Sequence, residues 1–226
     1  MHCHENKNIM NSFVKPFVGT NYKAGICGKK ILVLGASFYC SMTSCSYFAE
    51  CTNPRTKDSS KFDNICLDPI MKGKRLSNYP TIAIKDQYKA YRNFARFIQS
   101  FIGEEDTLET WNRMAFTDYL QFFSPTVITN KDYLSKRDFD AFIETVIDLR
   151  PDIIVTWGVA IVEEIREKNA FVFDKDKLAD SEYYICHMRI PKISHDIALV
   201  NCYHPSSRYW YQDMEKLKKY MRIVLE

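Results

Sequence analysis

The chain has 226 residues, 46% of them hydrophobic, with 31 Lys and Arg against 28 Asp and Glu for a formal net charge of +3. That length and apolar fraction can build a sizeable core and exclude wholesale disorder, while a balance so near neutrality does not mark the whole chain as a nucleic-acid binder. The longest largely apolar stretches, Ile31 to Cys40 and Ile153 to Val162, run about ten residues, short of the ~18–20 of a membrane helix, and the start Met1-His2-Cys3-His4 lacks the pattern of a secretory leader, so no membrane partner and a cytoplasmic location are expected.

Taken in chain order, Lys30-Ile31-Leu32-Val33-Leu34-Gly35 is a short apolar β-branched run and reads as a buried strand closed by a glycine turn. From Ser37 to Pro80 no period is sustained and turn formers cluster, which predicts a long excursion within one domain of residues 1–226. Ile84, Tyr88, Tyr91, Ala95, Ile98 and Ile102 recur at steps of three and four, one face of a helix ending at Gly103. A second helix starts near Ser135, where Ser135 and Asp138 make a capping-box-like pair. It buries Phe139, Phe142, Ile143 and Val146 and stops before Pro151. Asp152 to Gly158 reads as another strand followed by a helix to about Lys168, and Ile197 to Tyr203 as a further strand. Met214, Leu217, Met221 and Val224 give a closing helix. Alternating strands and helices predict a layered α/β domain with a mainly parallel sheet.

In such a sheet, ligands bind beyond the carboxyl ends of the strands. That rule selects Gly35-Ala36-Ser37-Phe38-Tyr39-Cys40, Gly158, and His204-Pro205-Ser206-Ser207-Arg208. His204 offers an imidazole beside two hydroxyl residues that suit phosphate oxygens. Arg208-Tyr209-Trp210-Tyr211 then places a cation and three aromatics where they could press against bases or pack inward. Between Pro69 and Phe101, seven cations face one acid, Asp86. This is either an anion-facing strip or a solvated helix face.

These segments together resemble the uracil-DNA glycosylase superfamily. The matches are Ile31 to Tyr39, the central Trp111-Asn112-Arg113-Met114-Ala115-Phe116-Thr117-Asp118, Pro151 to Gly158, and His204-Pro205-Ser206-Ser207, in the family's order over residues 31 to 208. The resemblance implies a three-layer α/β/α sandwich around a central, mainly parallel four-stranded sheet. It also implies hydrolysis of the bond joining a damaged or deaminated base to deoxyribose, with the target nucleotide flipped into a pocket. On this resemblance His204 donates to the departing base, Gly35, Ala36, Ser37, Phe38 and Tyr39 line the pocket, Ser206 and Ser207 hold phosphate, and Arg208 to Trp210 take the place of the loop that fills the vacated stack. The partner is then DNA or a nucleobase-containing ligand, with no obligate protein partner.

The residues also depart from that pattern. Active members usually carry an acid or amide in the two positions after the glycine, where this chain has Ala36 and Ser37, and neither is a general base at neutral pH. Asp118 stands where the family commonly has asparagine: a carboxylate accepts without donating, and it could instead supply the missing base function. A branch whose first motif reads Gly-Glu-Ser, with cysteines in the next insertion, is more similar still; here Ala36 replaces the glutamate. Cys40, Cys45, Cys51 and Cys66 fall within the excursion. No cofactor is required by the sequence, but four thiolates could hold zinc or an iron-sulfur cluster, or serve as small apolar residues. Activity therefore stays open between a DNA glycosylase, a non-catalytic nucleic-acid-binding or regulatory protein of the same shape, and an enzyme acting on a free nucleotide-like ligand.

Overall fold

The computed structural model describes residues 15–39, 80–121, 123–124, 136–167, 172–177, 184–212 and 214–226. Three of the apolar runs become the middle of a sheet: β2 (Ile31–Gly35), β6 (Ile153–Trp157) and β9 (Ile197–Cys202). Both faces of these strands are covered, which is why they read as continuous apolar sequence rather than as alternation. The fourth central strand, β4 (Met114–Asp118), is the second half of the Trp111–Asp118 motif.

The four run parallel in the order β4-β2-β6-β9, with Gly35 opposite Asp118 and Trp157 opposite Cys202. The sheet does not stop there. β1 (Phe17–Val18) pairs antiparallel with β4. On the other side β8 (Tyr184–Met188) and β7 (Val172–Lys177) add antiparallel strands beyond β9. The α/β class holds, but the sheet is mixed and seven-stranded rather than a four-stranded parallel one. A separate parallel pair, β3 (Phe38–Tyr39) with β5 (Phe123–Ser124), follows β2 and β4.

Helices cover both faces. One face carries Ile31, Val33, Phe116, Val155 and Trp157 and packs under α1 (Lys89–Ile102), Trp111 of α2 (Thr107–Asn112), Trp210 of α5 (Arg208–Gln212) and α6 (Met214–Leu225). The other carries Leu32, Leu34, Ile154 and Leu199 and packs under α3 (Lys136–Leu149) and α4 (Val159–Glu167).

The helix α1 ends as its sequence requires: Gly103 adopts a left-handed φ of 66° and its N–H returns to the Gln99 carbonyl. Its start differs from the periodic reading. Gln87 has a φ of 51°, which separates α1 from a helical turn at residues 80–85. Tyr88 is thereby turned out to solvent at 43% exposure instead of joining the core. Asp138 lies in the first turn of α3. It is fully buried and accepts a hydrogen bond from the Gln121 N–H at 2.8 Å, while Ser135 lies outside the described residues.

Candidate functional site

At the carboxyl edge, the alternation of side chains along parallel strands sends Asp118, Gly35, Trp157, Cys202 and His204 toward the face that packs under α1. The β2 and β4 chains stay together beyond the sheet, because Tyr119 N–H donates to the Gly35 carbonyl at 2.9 Å and Leu120 N–H to the Ala36 carbonyl at 3.0 Å. Gly35 therefore makes no tight turn. It is glycine for want of space, since a Cβ there would fall 2.1 Å from Asp118 Oδ1 and 2.8 Å from the Phe116 ring. The carboxyl of Asp118 lies directly against the end of β2.

Asp118 is 4% exposed, and this burial raises its pKa from 3.8 to about 8. At neutral pH it is predominantly the uncharged acid, with one O–H donor and one carbonyl acceptor. A group in that form resembles a carboxamide in what it can bind and is no general base. Ser37, two residues beyond the end of β2, is 7% exposed, and its Oγ has no hydrogen-bond partner among the described residues.

His204 follows β9, and its geometry fixes its chemistry. The Ser206 backbone N–H, which can only donate, points at Nδ1 at 3.3 Å, and Ser206 Oγ lies 2.8 Å from the same nitrogen. Nδ1 is therefore the acceptor, and the neutral ring carries its proton on Nε2. Burial lowers the imidazole pKa and favours this neutral form. The result is an oriented N–H donor.

The side chain is also steadied by Trp157, whose ring meets it edge to face at 5.6 Å. Asn93 of α1 anchors the turn itself by donating to the Pro205 carbonyl at 2.8 Å and to Tyr211 OH at 2.9 Å. Ser207 is occupied as the helix cap of α5, its Oγ accepting from Trp210 N–H at 3.3 Å. Both serines of the motif thus have partners within the protein.

Asp118 lies against Gly35, and His204 against Ser206, but these two groups stand apart along the carboxyl edge. Strand spacing puts the ends of β2 and β9 roughly 10 Å apart and those of β4 and β9 roughly 14 Å apart. The interval holds Trp157, 2% exposed, which touches Phe116 at 5.1 Å on one side and His204 on the other. Its Nε1–H has no acceptor among the described residues. Trp157 was legible only as the end of a strand, and its place between the two turns depends on the strand order.

No protein-family model matches the chain, and no curated protein does. Phe38 and Tyr39 are placed through the backbone of β3, their side chains lying outside the described residues. Cys40, Cys45, Cys51 and Cys66 also lie outside them. Among the described residues no group of three or more His, Cys, Asp or Glu side chains could hold a metal, and no helix is long and apolar enough to cross a membrane. Cys202 is buried, with its thiol pKa raised by that burial and its S–H directed to the Thr156 carbonyl at 3.3 Å, which leaves it inert.

The aromatic run after the motif divides. Trp210 is a core residue at 1% exposure, against Phe97 and Phe94. It therefore cannot act as the stack-filling residue of the Arg208–Trp210 segment. Tyr209 and Tyr211 face outward at 43% and 57% exposure.

Proposed function

We propose that this chain is a uracil-DNA glycosylase-like protein that binds DNA and presents an extruded base to His204. The observation that carries the reading is the neutral His204 ring, held by Ser206 so that an Nε2–H donor stands at the carboxyl edge of the parallel strands. In the reaction this supports, the glycosidic C1′–N bond breaks with its electron pair leaving on the base, and the developing charge on a base carbonyl oxygen accepts the His204 N–H. Water adds its hydroxyl to C1′, and the base nitrogen takes the remaining proton. Asp118, as a neutral acid, suits reading of a donor-acceptor base edge in the way an amide would.

A second reading is favoured by one specific observation: Ala36 and Ser37 cannot activate water, and Asp118 is protonated at neutral pH. On that reading the same site binds a nucleobase without turnover. Excision assays on single strands and duplexes containing uracil, hypoxanthine or xanthine separate the two. Product from any of them, falling roughly 10²- to 10³-fold in His204→Ala with DNA affinity retained, supports the enzyme. Equal excision by both proteins overturns the role of His204. Binding without product on every substrate supports the non-catalytic form.

A further inference from the structure

The outward side of α5 is built of groups that stack. Tyr209 meets the half-buried Tyr203 ring at 5.3 Å with only 34° between planes, and the Arg208 guanidinium lies 4.8 Å from the Tyr209 centroid while donating to its hydroxyl at 2.7 Å. Tyr211 is held by its hydroxyl through Asn93 and still leaves 57% of its surface exposed. Trp210, between the two, is locked in the core. The tyrosines are thus offered from a fixed base rather than from a loose loop.

The Asn93 bond also sets this cluster beside a row of positive charge. On α1, Lys89, Arg92 and Arg96 follow at helical steps of three and four, so they share one side of the helix with Asn93. Lys89 and Arg96 are exposed and Arg92 half-buried. Aromatic faces beside a cationic row match the two demands of an unpaired strand, whose bases need planes to stack on and whose phosphates need cations. A duplex hides its base faces and would use the cations alone.

We propose that the surface formed by Arg208, Tyr209, Tyr211 and the cationic row of α1 docks single-stranded DNA by stacking its unpaired bases, and so prefers it to duplex. The preference rests on the proposed function only in that His204, next to Tyr203, receives a base from the same strand.

The test uses the full chain and three labelled probes of equal length: a thymidine oligomer, its abasic counterpart and a blunt hairpin duplex. Anisotropy titrations should show the thymidine strand binding at least tenfold tighter than the other two. Tyr209→Ala combined with Tyr211→Phe should weaken that binding on the order of tenfold and leave abasic binding unchanged. Arg92→Gln with Arg96→Gln should weaken all three probes and flatten their salt dependence. Circular dichroism and a thermal melt of each variant show whether it is folded. Equal affinity for thymidine and abasic strands, or a folded tyrosine variant that binds as the parent does, overturns the proposal. His204-dependent excision from duplex without single-strand preference would defeat the stacking surface and spare the glycosylase reading. Single-strand preference without excision would do the reverse.

Discussion

At the amino edge of the sheet, Asp152 accepts the Lys30 N–H at 2.7 Å and faces His195 Nε2 at 3.5 Å, and Asp196 takes both prongs of the Arg189 guanidinium at 2.7 and 2.8 Å. Asp152, His195 and Asp196 rim an open cavity of about 370 Å3 that His187 and Lys29 also line. At the carboxyl edge the polar atoms of Asp118, Ser37 and Trp157 are buried. Asp118 is desolvated, and Ser37 Oγ and Trp157 Nε1 lack partners among the described residues. The opening at the amino edge thus lies beside carboxylates that already have partners within the protein. A buried polar atom left unmatched costs stability unless water or a ligand satisfies it.

The largest test of that contrast is Asp118→Asn. The unfolded chain gives up this proton near the ordinary carboxyl value of 3.8 and the folded one near 8. The native state thus binds the extra proton across that window, and stability falls as pH rises through it and levels off above. The loss by pH 7 is on the order of 4 kcal/mol, so the amide variant should gain about that much there and show a flatter profile between pH 4 and 8. Urea unfolding at a series of pH values measures it; parallel profiles for the two proteins would mean that Asp118 is charged in the fold.

Gly35→Ala comes next, expected to lose about 3 kcal/mol because its methyl must displace Asp118 and Phe116 from the strand end. An unchanged denaturation midpoint would show that the carboxyl has room to move. The smallest effect belongs to the amino edge. Arg189→Gln should leave the thermal midpoint where it is, since the ion pair with Asp196 is exposed to solvent and screened. A clear loss there would erase the distinction between the two edges.

How far the sequence could be read follows the same physics. β2, β6 and β9 were plain because burial on both faces leaves an unbroken apolar run. β7 was missed because Asp174, Lys175, Asp176 and Lys177 suit a sheet edge and look like loop. Glycine has two uses, positive φ and absence of a side chain, and at Gly35 pattern alone suggested the first where packing required the second. His204 could be picked out from its neighbours, but its tautomer needed the Ser206 N–H in place. Asp118 was found through resemblance, whereas its protonated state is set by burial that no local pattern encodes. Tyr209, Trp210 and Tyr211 read as one aromatic block until helix geometry sent the middle ring inward.

All three tryptophans of the chain, Trp111, Trp157 and Trp210, lie within a single aromatic cluster. Trp157 is the member that touches the imidazole, and it stands 6.4 Å from Trp111. The share of the ultraviolet emission that comes from Trp157 therefore originates beside the very group proposed to meet a base, so occupancy of that spot should register as a change in colour or brightness without any added dye.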